Sequence, residues 1–254
     1  MRIPVWLIFI LALLPQSPSK VIAASALPEG FVYLDTLDKS GKIKIALRYG
    51  TQNNFVGRPV AGYTEKFQRV ILTEAAAKAL LKAQERFEKD GFCLVIYDAY
   101  RPQSAVNDFM QWSRSSSDQL MKIWFYPRVD KSRVFELGYV AEKSGHSRGS
   151  TVDISLIAKG ESPHAIIPSY RKLKDGAEVV FLDDGTVDMG TSFDLFDKAS
   201  HYENDLIEQE HQERRRYLKE VMESCGFKNY AEEWWHFTLK EEPFPETYFD
   251  FPVN

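Results

Sequence analysis

Two cysteines and five histidines are all that this 254-residue chain offers as thiolate or imidazole ligands. A scaffold built on many disulfides is thereby excluded. Cys93 falls in an apolar strand and Cys225 continues an apolar helical stripe. Both read as buried free thiols, and neither has the neighbours of a nucleophilic Cys–His pair. Cationic excess is also missing: 32 Lys and Arg face 36 Asp and Glu, for a net charge of −4. Such a chain has little electrostatic reason to track phosphate backbones, so nucleic acid is not an expected partner. Arg214-Arg215-Arg216 accordingly reads as a solvated helix face. Repeats, low-complexity tracts and Pro/Ser linkers are absent after residue 30. Long apolar runs are absent but for Ile3 to Leu14, which follows Met1-Arg2 and precedes Pro15 and the small residues Ala23, Ala24 and Ala26. That run is too short to span a bilayer comfortably. Its order of basic start, apolar core and small-residue end is that of a secretory signal. Residues 1–26 are therefore expected to be a cleaved signal and 27–254 a single domain, exported to the periplasm or the extracellular space. No stable membrane partner is expected after cleavage, which would move the net charge from −4 to −6.

What is present alternates between strand and helix signals. Ile43, Ile45, Leu47 and Tyr49 alternate with polar or small residues and predict a half-buried strand. Thr73 caps an expected helix that runs to Asp90 and stops at Gly91. Phe92 to Tyr97 predicts a buried strand, and Pro102 opens a second helix carrying Val106, Phe109 and Met110 inward. A hairpin is expected over 177–189, turning at Asp183-Asp184-Gly185. A charged helix is expected from Asn204 or Asp205 to Gly226, with a strand after it through Trp235, Phe237 and Leu239. This order predicts an α+β fold with a largely antiparallel sheet flanked by helices.

Two motifs about ninety residues apart carry the chemistry: Ser144-Gly145-His146-Ser147-Arg148-Gly149-Ser150-Thr151-Val152-Asp153 and Glu233-Trp234-Trp235-His236. Together they offer two imidazoles, a carboxylate ligand and a spare carboxylate, which is what a catalytic zinc with an open position and an adjacent base requires. Asp153 lies between Val152 and Ile154, where a lone carboxylate is costly unless paired or bound to a cation. His236 lies between Trp235 and Phe237 and is expected to point into a packed region. Three positions apart, Glu233 and His236 share a face only on a helix or tight turn, so a turn is expected at Glu233-Trp234. The plainer alternative makes Glu233 a charged strand entry. Arg101, at the end of the strand before Pro102, suits an oxyanion-binding fork, or equally a structural ion pair with Asp98.

With these residues in hand, the chain resembles the zinc D-alanyl-D-alanine dipeptidases of the VanX type from about residue 31 to the C-terminus. The similarity is densest around Arg48-Tyr49 to Gly62-Tyr63, Asp98 to Trp112, Gly138 to Asp153, and Glu232 to Pro252, including Tyr248-Phe249-Asp250-Phe251-Pro252. The resemblance implies one zinc per chain on His146, Asp153 and His236, and a small D,D-dipeptide as substrate. It also implies Glu233 as base, Arg101 at the transition state, Asp194 receiving the substrate ammonium, and Ser144 and Tyr139 in the substrate pocket. On its own Asp194 reads as a helix or turn cap. The resemblance leaves two rival activities: a D,D- or L,D-carboxypeptidase or endopeptidase acting on peptidoglycan stems, and a non-catalytic module that binds cell-wall peptides. It also places the zinc at one edge of the sheet. The 157–188 segment looks longer than in compact members and is expected to be a lid or a decorated hairpin, with Lys172, Lys174, Asp183 and Asp184 facing solvent.

Overall fold

The computed structural model describes residues 27–64 and 69–253; the expected signal segment lies outside them. β1 (Phe31–Tyr33) runs into the short α1 (Leu34–Leu37), followed by β2 (Lys44–Ile45), β3 (Ile71–Thr73), α2 (Glu74–Lys89) and β4 (Phe92–Asp98). Next come α3 (Gln103–Arg114), α4 (Lys122–Phe125), β5 (Thr151–Ala158), β6 (Ile167–Lys172) and β7 (Glu178–Asp183). The chain closes with α5 (Gln209–Ser224), β8 (Phe227–Tyr230) and β9 (Glu233–Leu239). Five strands form the main sheet in the order β2-β4-β5-β9-β8. Only β2 and β4 run parallel within it; every other pairing is antiparallel. The architecture is thus α+β, as expected.

β4 shows why the sheet sits where it does. Its Leu94, Val95 and Ile96 are fully buried, because α2 packs on it while β2 and β5 pair along its edges. A strand enclosed on both faces reads as a continuous apolar run rather than an alternation. Burying each such side chain contributes about 1.5–3 kcal/mol. α2 starts where Thr73 Oγ1 accepts a hydrogen bond from Ala76 N at 3.3 Å, a cap worth about 1 kcal/mol. It stops at Gly91, whose φ of +84° is the left-handed geometry of a helix C-terminus.

Several expectations need correction. The hairpin pairs β6 with β7 and turns at Leu173 to Ala177, not at 183–185. β6 is almost wholly exposed, so it lacks the apolar alternation that would have revealed it. Asp184 is buried rather than solvent-facing, since it pairs with Arg48 and accepts from Tyr97 Oη at 2.8 Å. Its partners lie far away in sequence and supply the counter-charge that local reading could not see. α5 begins at Gln209 instead of 204–205, because the Asn204 side chain caps the preceding loop, accepting from Leu206 N at 2.9 Å. Arg215 is buried at 1 % exposure, not solvated. Cys93 is buried and Cys225 half-buried, and both thiols are free.

Candidate metal centre

The first motif folds as a 3-10 turn, Gly145–Arg148, that feeds β5. Ser144 opens it by accepting from His146 N at 3.3 Å. Gly149 closes it at φ +80°, where a Cβ would stand only 2.2 Å from the Phe31 ring; both facts demand glycine. The C-terminal tail pins this turn from outside. Phe249 N donates to Ser147 O at 2.8 Å, and the Phe249 and Phe251 rings pack edge-on against Phe31.

Asp153 and His236 face each other across the antiparallel β5–β9 pair. Glu233 reaches the same spot through a bulge rather than the expected turn. β8 pairs Asn229 with Phe237 but Tyr230 with Glu233, so extra residues of β9 loop out between them. The Asn229 amide spans the gap, donating to Glu233 O and His236 O at 3.1 Å each. A bulge re-aims side chains that a flat strand would point apart.

The ligand geometry is compact. His146 Nε2 lies 3.3 Å from Asp153 Oδ1 and 3.3 Å from His236 Nδ1, and His236 Nδ1 lies 3.2 Å from Asp153 Oδ1. A tetrahedral cation with bonds of about 2.0–2.1 Å sets its ligand atoms about 3.3–3.4 Å apart, so the triangle has the right edge. His146 Nδ1 donates to Ala99 O at 2.7 Å, which leaves Nε2 with its lone pair toward the other two. Asp153 Oδ1 is buried without a hydrogen-bond partner, an atom that a cation would satisfy. These observations fit a single divalent ion held by the three residues. The trio lies on or beside β5 and β9, which are inner strands of the five-stranded sheet.

Charge is concentrated around it. Burial pushes the Glu233 carboxyl above its usual range, with His236, 3.3 Å away, pulling the other way. Burial would lower the His236 imidazole, but the carboxylates of Asp153 and Glu233 overcome it and raise it to about 9. Asp194 is raised well above its ordinary value by burial and by the charges of Asp153 and Glu233, against Tyr49 and Arg101. Arg101 Nε donates to Asp98 Oδ2 at 2.9 Å, while Nη2 reaches Asp153 Oδ2 at 3.4 Å. The structural ion pair with Asp98 therefore exists, and the guanidinium still borders the cavity.

A cavity of about 260 Å³ joins these groups. Of the residues picked from sequence, Arg101, Tyr139, Ser144, Asp153, Asp194, Glu233 and His236 line it, and His146, 1 % exposed, lies against Asp153 and His236. Tyr139 forms a wall, with its hydroxyl 3.2 Å from His201 Nε2 and its ring stacked on Phe196. No residue of the 157–188 segment lines the cavity. Sequence reasoning missed Tyr49, whose hydroxyl donates to Asp194 Oδ2 at 2.8 Å, and Asn229 at the bulge. Tyr49 gave a weak signal as the last apolar position of the first strand pattern; Asn229 gave none.

Fold and site together define a class: an α+β protein with a mononuclear candidate metal centre beside a buried carboxylate in a cavity. The Peptidase_M15 family model, described as D-ala-D-ala dipeptidase, matches residues 30–165 and 178–254, and the chain belongs to that family. A D-alanyl-D-alanine dipeptidase of Streptomyces coelicolor is 41 % identical over 88 % of this chain and 98 % of its own length. One from Enterococcus faecium is 39 % identical over 89 % and 98 %. Among solved structures, a vancomycin resistance D,D-pentapeptidase VanY in complex with Zn(II) aligns over 67 % of this chain and 74 % of its own, at 14 % identity and a TM-score of 0.36. The stretch between the two matched ranges, 166–177, holds β6 and its turn.

Proposed function

We propose that the chain hydrolyses the D-alanyl-D-alanine dipeptide to two D-alanines, using one zinc held by His146, Asp153 and His236. The observation that carries this reading is the ligand triangle set beside Glu233 in a cavity that ends on Asp194. Dipeptidase relatives at 39–41 % identity over nearly their whole length support the substrate. Zinc, when bound, supplies Lewis acidity at the scissile carbonyl and makes water acidic enough to attack.

The remaining work falls to side chains. Glu233 takes a proton from the attacking water and returns it to the amine nitrogen as the C–N bond breaks. Its raised pKa suits both transfers. Arg101 faces the carbonyl oxygen as negative charge develops on it; a preorganised contact of this kind is worth about 3–4 kcal/mol. Asp194 receives the free ammonium with Tyr49 as its hydrogen-bond donor. Ser144 and Tyr139 shape the pocket around the substrate. An amide-linked, longer peptide brings no ammonium and leaves Asp194 buried and unpaired, a penalty that gives strong discrimination.

Residues 1–26 act in this reading as a cleaved export signal and 27–254 as one domain, placing the enzyme outside the cytoplasm, where it recovers D-alanine from wall turnover. The family match beginning at residue 30 supports the division. N-terminal sequencing of the exported protein should start near Leu27. The deciding assay incubates the protein with free dipeptide and with a pentapeptide stem, with and without chelator. Chelator-sensitive release of D-alanine from the dipeptide alone is expected. Cleavage of the stem instead would make it a carboxypeptidase, and no hydrolysis of either would leave a binding module.

A further inference from the structure

Asp194 sits in a conformation that the chain does not adopt unaided. Its φ of +62° is the only positive value at a non-glycine among the described residues. Such a residue persists only where its surroundings over-determine it. The segment that carries it, 189–201, has no regular structure beyond a 3-10 turn at Lys198–Ser200.

Arg215, on α5, supplies the missing constraint. It is 1 % exposed, and no carboxylate lies within ion-pair distance of it among the described residues. All its hydrogen bonds end on that one segment. Nε donates to Met189 O at 2.7 Å, Nη2 to Thr191 Oγ1 at 3.1 Å, and Nη1 to His201 O at 2.9 Å. The fork thus grips the segment before and after Asp194. Trp234, next to Glu233, donates to the same Thr191 oxygen at 3.0 Å. Gly190 lets the backbone press against α5, for a Cβ there would meet His211 Cβ at 3.0 Å. His201, held by its carbonyl, in turn contacts the Tyr139 hydroxyl in the cavity wall.

Burying a guanidinium with no carboxylate partner is costly, and an apolar side chain of similar volume would fill the space without that cost. Burial pushes the guanidinium's pKa down, with Asp188 alone opposing. A fixed fork of donors is what the site gains in return.

We propose that Arg215 is a positioning residue for substrate selection: it holds the 189–201 segment so that Asp194 meets the substrate ammonium. The inference rests on the role given to Asp194 under Proposed function. It concerns KM and selectivity for a free amine, not the chemical step.

The test compares wild type, Arg215→Lys, Thr191→Val and Asp194→Asn, each zinc-loaded, on D-Ala-D-Ala and on its N-acetylated form. Arg215→Lys keeps the charge but loses the fork. It should raise KM for the free dipeptide about tenfold, as expected for a misplaced charged contact, with kcat within about twofold and zinc content unchanged. Its preference for the free over the acetylated substrate should fall in step. Thr191→Val removes the hydroxyl that Arg215, Trp234 and Ser200 share and should show the same pattern at about threefold, which keeps the test open if Arg215→Lys folds poorly. The double variant with Asp194→Asn should be no worse than Asp194→Asn alone. A merely structural role would lower the active fraction and the melting temperature and leave KM and selectivity untouched. If Asp194→Asn raises KM while the other two do not, the inference about Arg215 is wrong and the reading of Asp194 stands. If Asp194→Asn itself leaves KM unchanged, the reading of Asp194 fails and takes the inference with it.

Discussion

Removing one oxygen atom, in Tyr49→Phe, isolates the electrostatics of substrate recognition. Tyr49 is 2 % exposed, and its ring packs on Phe55, Phe109 and Phe193, contacts that phenylalanine keeps. Only the hydroxyl that donates to Asp194 Oδ2 at 2.8 Å is lost. Burial and the charges of Asp153 and Glu233 already push Asp194 up, and Tyr49 is the first of the groups that hold it down. A hydrogen bond to a charged group contributes about 1.5–3 kcal/mol, so its loss should push the carboxyl higher still. The sign follows from the charge that recognition needs. Asp194 binds an ammonium only when ionised, and a group with a raised pKa loses that charge as pH falls through it. The acid limb of kcat/KM for D-Ala-D-Ala should therefore move to higher pH. Near neutral pH, kcat/KM should drop about 10- to 150-fold, mostly through KM. Tyr63→Phe is the control, because Tyr63 donates to Asp98 rather than to Asp194. An acid limb and KM both unmoved in Tyr49→Phe, with the control behaving alike, would refute the assignment of Asp194 as the ammonium site.

Glu233→Gln should retain zinc, measured by elemental analysis, while turnover falls about 10²- to 10⁴-fold as a general base is lost; near wild-type rates would remove Glu233 from that role. Chelation should abolish hydrolysis and lower the melting temperature. A ligand present at about 100 times its Kd contributes about 2.7 kcal/mol, or about 5–11 °C for a domain of this size, and an unchanged melting curve would argue against a bound ion. Asn229→Ala removes the amide that bridges the β9 bulge. It should cost about 1–3 kcal/mol of stability by denaturant titration and lower kcat through a drifting Glu233, whereas loss of stability with full kcat would mean that the bulge holds itself.

How much of this was legible in the sequence depended on how local each cause was. α2 was legible at both ends, since Thr73 and Gly91 act within a turn of the helix. The metal trio was legible because a carboxylate between Val152 and Ile154, and an imidazole between Trp235 and Phe237, are each costly alone. The bulge was half legible: the spacing of Glu233 and His236 rules out a flat strand, but only the register against β8 distinguishes a bulge from a turn. Asp184 and Arg215 were misread because their partners, Arg48 and the carbonyls of Met189 and His201, are distant in sequence. Polarity was right for each residue; its location was not, since a buried charge is betrayed only by the groups that satisfy it.

The same logic, applied to the whole cavity, specifies what must enter it. Asp98, Asp153, Asp194 and Glu233 are all buried in or beside it; the Arg101 guanidinium reaches Asp98 and Asp153, and the His236 imidazole lies against Asp153 and Glu233. Crowding four carboxylates into a low-dielectric pocket disfavours their charged forms, and burial raises Asp98, Asp194 and Glu233. Under the proposed function, a divalent ion at the triangle and an ammonium at Asp194 would supply positive charge at two separate points. A small dipeptide with a free amine brings the second charge in with it, and an acylated peptide does not. On the proposed reading, selectivity for the free dipeptide and affinity for the metal would be two consequences of one surplus of negative charge. Neutralising Asp194 should weaken recognition of the amine while leaving the metal triangle, held by other atoms, intact.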